Sequence, residues 1–146
     1  MASSAPPAIS GSCLCKAVEF TIEEEPAAHY LCHCPSCKKV SGSAFMHNWG
    51  FAKEAIKYTT GTETVRTFAD RNTHTGTPLE RSFCRVCGSP VAIQTALQPG
   101  RVFIPAGALD DTSLQDQVPL SENFVDARVA WIGKVAEKRM AGRKKA

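Results

Sequence analysis

Seven cysteines in three tight groups constrain this chain more than any other feature: Cys13-Leu14-Cys15, Cys32-His33-Cys34-Pro35-Ser36-Cys37 and Cys84-Arg85-Val86-Cys87. An odd number cannot close entirely into disulfides. Seven in 146 residues also falls below the density of a short secreted disulfide scaffold. At 43% apolar residues the chain can bury a core without covalent help, and its length suits one domain. Clustered cysteines in such a chain serve as metal ligands or reactive thiolates more often than as bridges.

The partners are bounded by charge and hydropathy. No run approaches the roughly 18 apolar residues of a membrane span. The opening MASSAPPAIS lacks the basic and apolar regions of a secretory signal, so a soluble, cytoplasmic protein without a membrane partner is expected. Lys and Arg number 17 against 14 Asp and Glu, a net charge of +3 that argues against nucleic-acid binding. Residues 134–146 hold six of the basic residues and one acid, which leaves residues 1–133 slightly acidic. The expected plan is a flexible lead-in over 1–10, a zinc-binding domain over 11–133 and a basic tail over 134–146. A homo-oligomer stays open.

Short alternating segments predict a mainly β protein. Val18, Phe20 and Ile22 fall on one side of a strand within 14–22, with Glu19 and Thr21 on the other. Further strands are expected near 29–32, 44–51, 56–59, 64–68, 80–83, 90–95 and 101–105. The Pro, Ser and Gly after Cys34 predict a tight turn or one helical turn. A short helical piece is expected within 110–117, and weak helical character over 129–140 suggests a short C-terminal helical tail.

The cysteine spacing suggests two metal sites. Cys84-x-x-Cys87-Gly88 offers two thiolates from one turn, and the glycine relieves the backbone there. A closed tetrahedral site needs four ligands, so Cys13, Cys15, Cys84 and Cys87 are expected around one structural zinc. Cys32, Cys34 and Cys37 supply three thiolates with the fourth position open, the ligand count of a catalytic site. Three thiolates on a divalent cation leave a net negative centre, better suited to sulfur chemistry than to splitting water. Lys38 and Lys39 would offset that charge or attract an anionic substrate. His33 would transfer a proton, complete a closed site, or brace the backbone, and metal-free redox thiols are the remaining reading of this group.

In order along the chain, Gly11-Ser12-Cys13-Leu14-Cys15, Cys32 to Lys39, Gly42-Ser43-Ala44-Phe45, Phe83 to Pro90 and Ala106 to Asp111 resemble the glutathione-dependent formaldehyde-activating enzyme family over about residues 11–131. The resemblance implies an Mss4-like β-tent of small antiparallel sheets with two zincs per chain. By position, Cys13, Cys15, Cys84 and Cys87 would hold the structural zinc, and Cys32, Cys34 and Cys37 the catalytic one. It also implies a carbon-sulfur lyase that adds the thiol of its cosubstrate glutathione to formaldehyde. A different carbonyl compound or a glutathione thioether is equally compatible with the cysteines. The rival class is a non-catalytic zinc-binding interaction or chaperone module, for which the quartet alone suffices.

Several other residues carry expectations. Phe45, His47, Trp49 and Phe51 alternate along a strand and would line a pocket or fill the core. His74 and Arg71 sit in a polar loop placed to meet a glutathione carboxylate, with simple exposure as the alternative. Asp110 and Asp111 form either a carboxylate pair or a turn. Trp131 is expected to anchor the core or a sheet edge.

Overall fold

The computed structural model describes residues 4–140. Among these, the smaller of two sheets holds β1 (Ile9–Ser12), β2 (Glu19–Ile22) and β5 (Ile56–Thr60), in the order β1-β2-β5 and all antiparallel. The larger contains β3 (Ala28–Cys32), β4 (Met46–Ala52), β6 (Val65–Asp70), β7 (Leu79–Cys84), β8 (Pro90–Thr95), β9 (Arg101–Pro105), β10 (Ser121–Asn123) and β11 (Lys138–Met140). Its order is β11-β10-β3-β4-β9-β8-β7-β6. Two helices are short, α1 (Pro35–Ser41) and α2 (Thr112–Gln115). This is the small, mainly β protein with cysteine turns that the sequence predicts.

The two faces of the large sheet do different work. One packs on the small sheet: Phe20 and Ile22 from β2 meet Trp49 and Phe51 from β4 and Val102 and Ile104 from β9, all buried. Burial of this kind contributes roughly 1.5–3 kcal/mol per large side chain. The other face is set by register. Arg81, Ile93, Phe103, Gly50 and Ala28 stand directly opposite one another in successive strands from β7 to β3. Directly paired residues share a face, and so do residues two apart on a strand. Ala28, Tyr30 and Cys32 therefore share one face with Asn48 and Arg81.

Three features differ from expectation. The large sheet is mixed, because β10 runs parallel to both β3 and β11. β1 begins at Ile9, inside the expected lead-in; strands as short as β1 and β10 hold too little alternation to be read. Over 129–140 there is no helix: 129–137 are irregular and Lys138–Met140 pair as β11. The reason is Glu122, whose carboxylate takes the Val135 and Ala136 N–H groups at 3.0 Å each, donors that a helix at this point would use itself. The last six residues of the expected basic tail lie outside the described residues. Trp131 is 78% exposed and anchors nothing in the core.

Gly11 shows why the first cysteine turn opens on glycine. A Cβ there would lie 2.2 Å from the Phe20 ring and 2.8 Å from the Ala108 carbonyl oxygen. Gly11→Ala should cost about 2–3 kcal/mol through overpacking. Gly107→Ala, with nothing within 4 Å of the new Cβ, should shift stability by less than about 0.5 kcal/mol. Urea unfolding midpoints of the two variants check this, and equal midpoints would contradict it.

Candidate metal centres

The quartet forms where the turn after β1 meets the end of β7. Cys13 and Cys15 come from the first, Cys84 and Cys87 from the second, and their four sulfurs lie within 4.8 Å of one another. Cys13 Sγ is 3.6 Å from Cys15 Sγ, and Cys15 Sγ is 3.8 Å from Cys84 Sγ. Gly88, at φ 75°, lets the second turn close. The Val18 amide donates to Cys13 Sγ at 3.3 Å and the Val86 amide to Cys84 Sγ at 3.4 Å, contacts that fix both sulfurs in place. Hydrogen bonds from Ser89 likewise hold the Cys87 thiol down to about 5.

The triad is assembled within one turn. Cys32 ends β3, Cys34 caps α1, and Cys37 lies one helical turn on, its amide donating to Cys34 Sγ at 3.3 Å. Pro35 fits the first helical position, where no N–H is needed, and Gly42 closes α1 in the left-handed conformation. All three thiols are buried and their sulfurs also lie within 4.8 Å of one another. The hydrogen bonds of Cys32 and Cys37 hold Cys34 down to about 2. Those same bonds and burial push Cys32 far up. Cys37 is aided by Cys32 but raised to about 11 by Cys34 and burial. Burial and mutual proximity thus oppose ionising all three thiols together, and full ionisation calls for a cation.

The triad opens into a cavity of about 460 Å³ on the second face of the large sheet, bordered by Tyr30, Asn48, Arg81, Ile93 and Phe103. That volume lies within the range of about 300–1,000 Å³ typical of small-molecule sites. It is far larger than a one-carbon electrophile requires. Among the described residues no His, Asp or Glu joins the triad as a fourth ligand. Asn48 and Arg81 are cavity residues that the sequence reading missed. Both follow from β-strand register, a signal that exists only once the pairing is known.

His33 does not face this cavity. Its fully buried ring places Nε2 2.9 Å from Glu122 Oε1 and packs edge-on to Phe45. Glu122 is fully buried too; its second oxygen accepts from Arg128 at 3.2 Å and from the Val135 and Ala136 amides. Burial alone would raise the Glu122 carboxyl, but the Ala136 and Val135 amides, His33 and Arg128 hold it below its ordinary value. His33 therefore braces the chain after β10 against the triad turn.

The remaining expectations separate in space. Trp49 and Phe51 are core, whereas Phe45 and His47 border a second cavity of about 480 Å³ beside Cys13, Lys16 and Asp110, which holds no triad thiol. His47 lies 3.3 Å from His29, and burial with that neighbour lowers it to about 4, so it stays neutral. His74 borders the triad cavity beside Phe124, and Arg71 is exposed and does not border it. Lys38 is held by the Ala127 carbonyl and Lys39 is exposed, so neither stands in the triad cavity. The two aspartates act apart: Asp110 accepts from Ser12 at 2.6 Å, and Asp111 caps α2. No described helix is long and apolar enough to cross a membrane.

Compared with known proteins, residues 8–127 match the family described as glutathione-dependent formaldehyde-activating enzyme. No curated protein matches the chain. Its fold is similar to a crystal structure of a Rhodobacter sphaeroides protein, at a TM-score of 0.59 and 20% identity, covering 75% of this chain and 97% of that one.

The buried His33–Glu122 pair yields a pH test. Because the folded-state Glu122 pKa is depressed, its contribution to stability is present above the ordinary Glu value of about 4.3. It is lost as pH falls through the lower folded-state value. Glu122→Gln should therefore destabilise by about 2–4 kcal/mol at neutral pH, and the gap to wild type should narrow on acidification. Thermal unfolding across that pH range checks this; a gap that widens would contradict it.

Proposed function

The chain belongs to the glutathione-dependent formaldehyde-activating enzyme family, and from that premise we propose a zinc-dependent carbon-sulfur lyase. It joins or cleaves a glutathione thiol and a small electrophile, either formaldehyde, another carbonyl compound or the electrophilic part of a glutathione thioether. The observation that carries this reading is a buried set of three thiols bordering a roomy cavity, without a fourth protein ligand among the described residues. A purely structural module requires only the quartet.

The quartet suits zinc. Sulfurs about 2.3 Å from a tetrahedral zinc lie about 3.8 Å apart, close to the 3.6 and 3.8 Å separations found. Cys13, Cys15, Cys84 and Cys87 would thus hold a closed structural zinc, and Cys32, Cys34 and Cys37 a second, catalytic one. At the triad, zinc supplies acidification of an incoming thiol. Seven free cysteines suit a cytoplasmic setting, where glutathione keeps thiols reduced.

The chain's own groups then do the rest. As the glutathione sulfur bonds to the carbonyl carbon, the C=O π electrons move to oxygen, which takes up the proton the thiol gave up; cleavage runs the same steps backwards. Ile93 and Phe103 exclude water from one wall, and the polar Asn48 side chain stands on the same face. His33 fixes the Cys32–Cys34 backbone through Glu122 rather than exchanging protons with substrate.

Metal analysis with activity tests this. Wild type should bind two zinc ions and accelerate glutathione–formaldehyde exchange seen by NMR. Cys34→Ser should keep the fold and one zinc but fall to the uncatalysed rate. Lowering the pH should release the triad zinc, because its thiols bind protons in competition with metal. One zinc in wild type, or full activity in Cys34→Ser, would overturn the proposal.

A further inference from the structure

Arg81 is a buried cation with four of its five N–H donors left without a partner among the described residues. Its side chain is 6% exposed, and Nε donates to Asp70 Oδ2 at 2.9 Å. Asp70 uses its other oxygen to accept from the Asn72 amide at 3.2 Å. Arg81 Nη1 and Nη2 are both buried and find no hydrogen-bond partner among the described residues. Each such buried, unpaired N–H group is costly unless an anion beyond Asp70 faces it.

The anion is supplied by the triad. The β7 register turns Arg81 onto the face that carries Cys32, and among the described residues it is the one Lys or Arg bordering the cavity; no Asp or Glu borders it. Arg81 lines the same cavity as Cys32, Cys34 and Cys37. Three thiolates around a divalent cation carry one net negative charge, and a fourth, incoming thiolate makes two. With Asp70 held at Nε, the guanidinium end carrying Nη1 and Nη2 is left to meet that charge.

We propose that Arg81 is the specificity-determining counter-cation of the open metal position, favouring an anionic sulfur donor there over a neutral one. This rests on the two-metal reading above and goes further by assigning the choice of ligand charge to one residue. Lys38 and Lys39, adjacent to the ligands in sequence, do not do this work. The effect acts on a ligand's charge, so it is separable from any loss of folding.

Cobalt(II)-loaded protein provides the test, with visible absorption reporting ligands at the open site. The probes are 2-mercaptoethanol, which binds as thiolate, and imidazole, which binds neutral. Removing one nearby unit charge at intermediate dielectric should weaken an anion by roughly tenfold or more. Arg81→Gln should therefore lower the thiolate-to-imidazole affinity ratio by that factor, and Arg81→Lys should restore much of it. Asp70→Asn, which removes the opposing charge, should move the ratio upward, so the proposal stays testable even if Arg81→Gln binds metal poorly. A ratio unchanged by Arg81→Gln, or one that falls in Asp70→Asn, would overturn the role of Arg81 while leaving the open metal position intact. Failure of both probes to perturb the cobalt spectrum of wild type would overturn the open-site reading and this proposal with it.

Discussion

The crowding of seven cysteine sulfurs into two small clusters is the constraint on which the rest of this molecule depends. Four sulfurs from parts of the chain about 70 residues apart meet within 4.8 Å. On the proposed reading, a cation shared by all four would clamp the turn after β1 to the end of β7. Around that clamp the Leu14 amide donates to Ser89 Oγ at 3.0 Å, and Gly11 bridges to Leu109. The small sheet is thereby fixed on one face of the large one, and the core forms between them.

Because that face is occupied, the opposite face is free to carry chemistry. The triad turn sits at the end of β3, where the strand passes its last side chain onto the free face and α1 returns two more sulfurs to it. Glu122 holds this turn from behind. It joins His33 to the irregular segment around 135–136, so the chain beyond the family match at residue 127 supports the triad backbone. Burial, which raises Cys32 and Cys37, would also shield a bound thiolate from water. Arg81 adds the positive charge that the ligand set itself lacks.

Much of this was legible in the sequence, for physical reasons that differ by element. The β2 alternation of Val18, Phe20 and Ile22 matched its burial, and the partition of seven cysteines into four and three matched the two clusters in space. Gly88 took the positive φ that its knuckle predicts. The irregular segment at 129–137 was not legible, since its backbone donors are satisfied by a glutamate more than ten residues away in sequence. Arg81 was not legible either: its neighbours in sequence, Glu80 and Ser82, say nothing of Cys32 and Cys37, which reach it only through four strand pairings. His33 looked reactive because it lies between two candidate ligands, yet its ring pairs with Glu122 and does not border the triad cavity. The β4 stripe was read on its core side, and the cavity uses the other side through Asn48.

On the proposed reading one metal site is closed and the other is open to a thiol. Cadmium-113 NMR of the cadmium-loaded protein tests it most directly, since each site gives its own resonance and the shift reports the sulfur ligands. Two resonances are predicted, of which one is unmoved by glutathione and the other shifts as a fourth sulfur enters. A single resonance, or two that both ignore glutathione, would contradict the account.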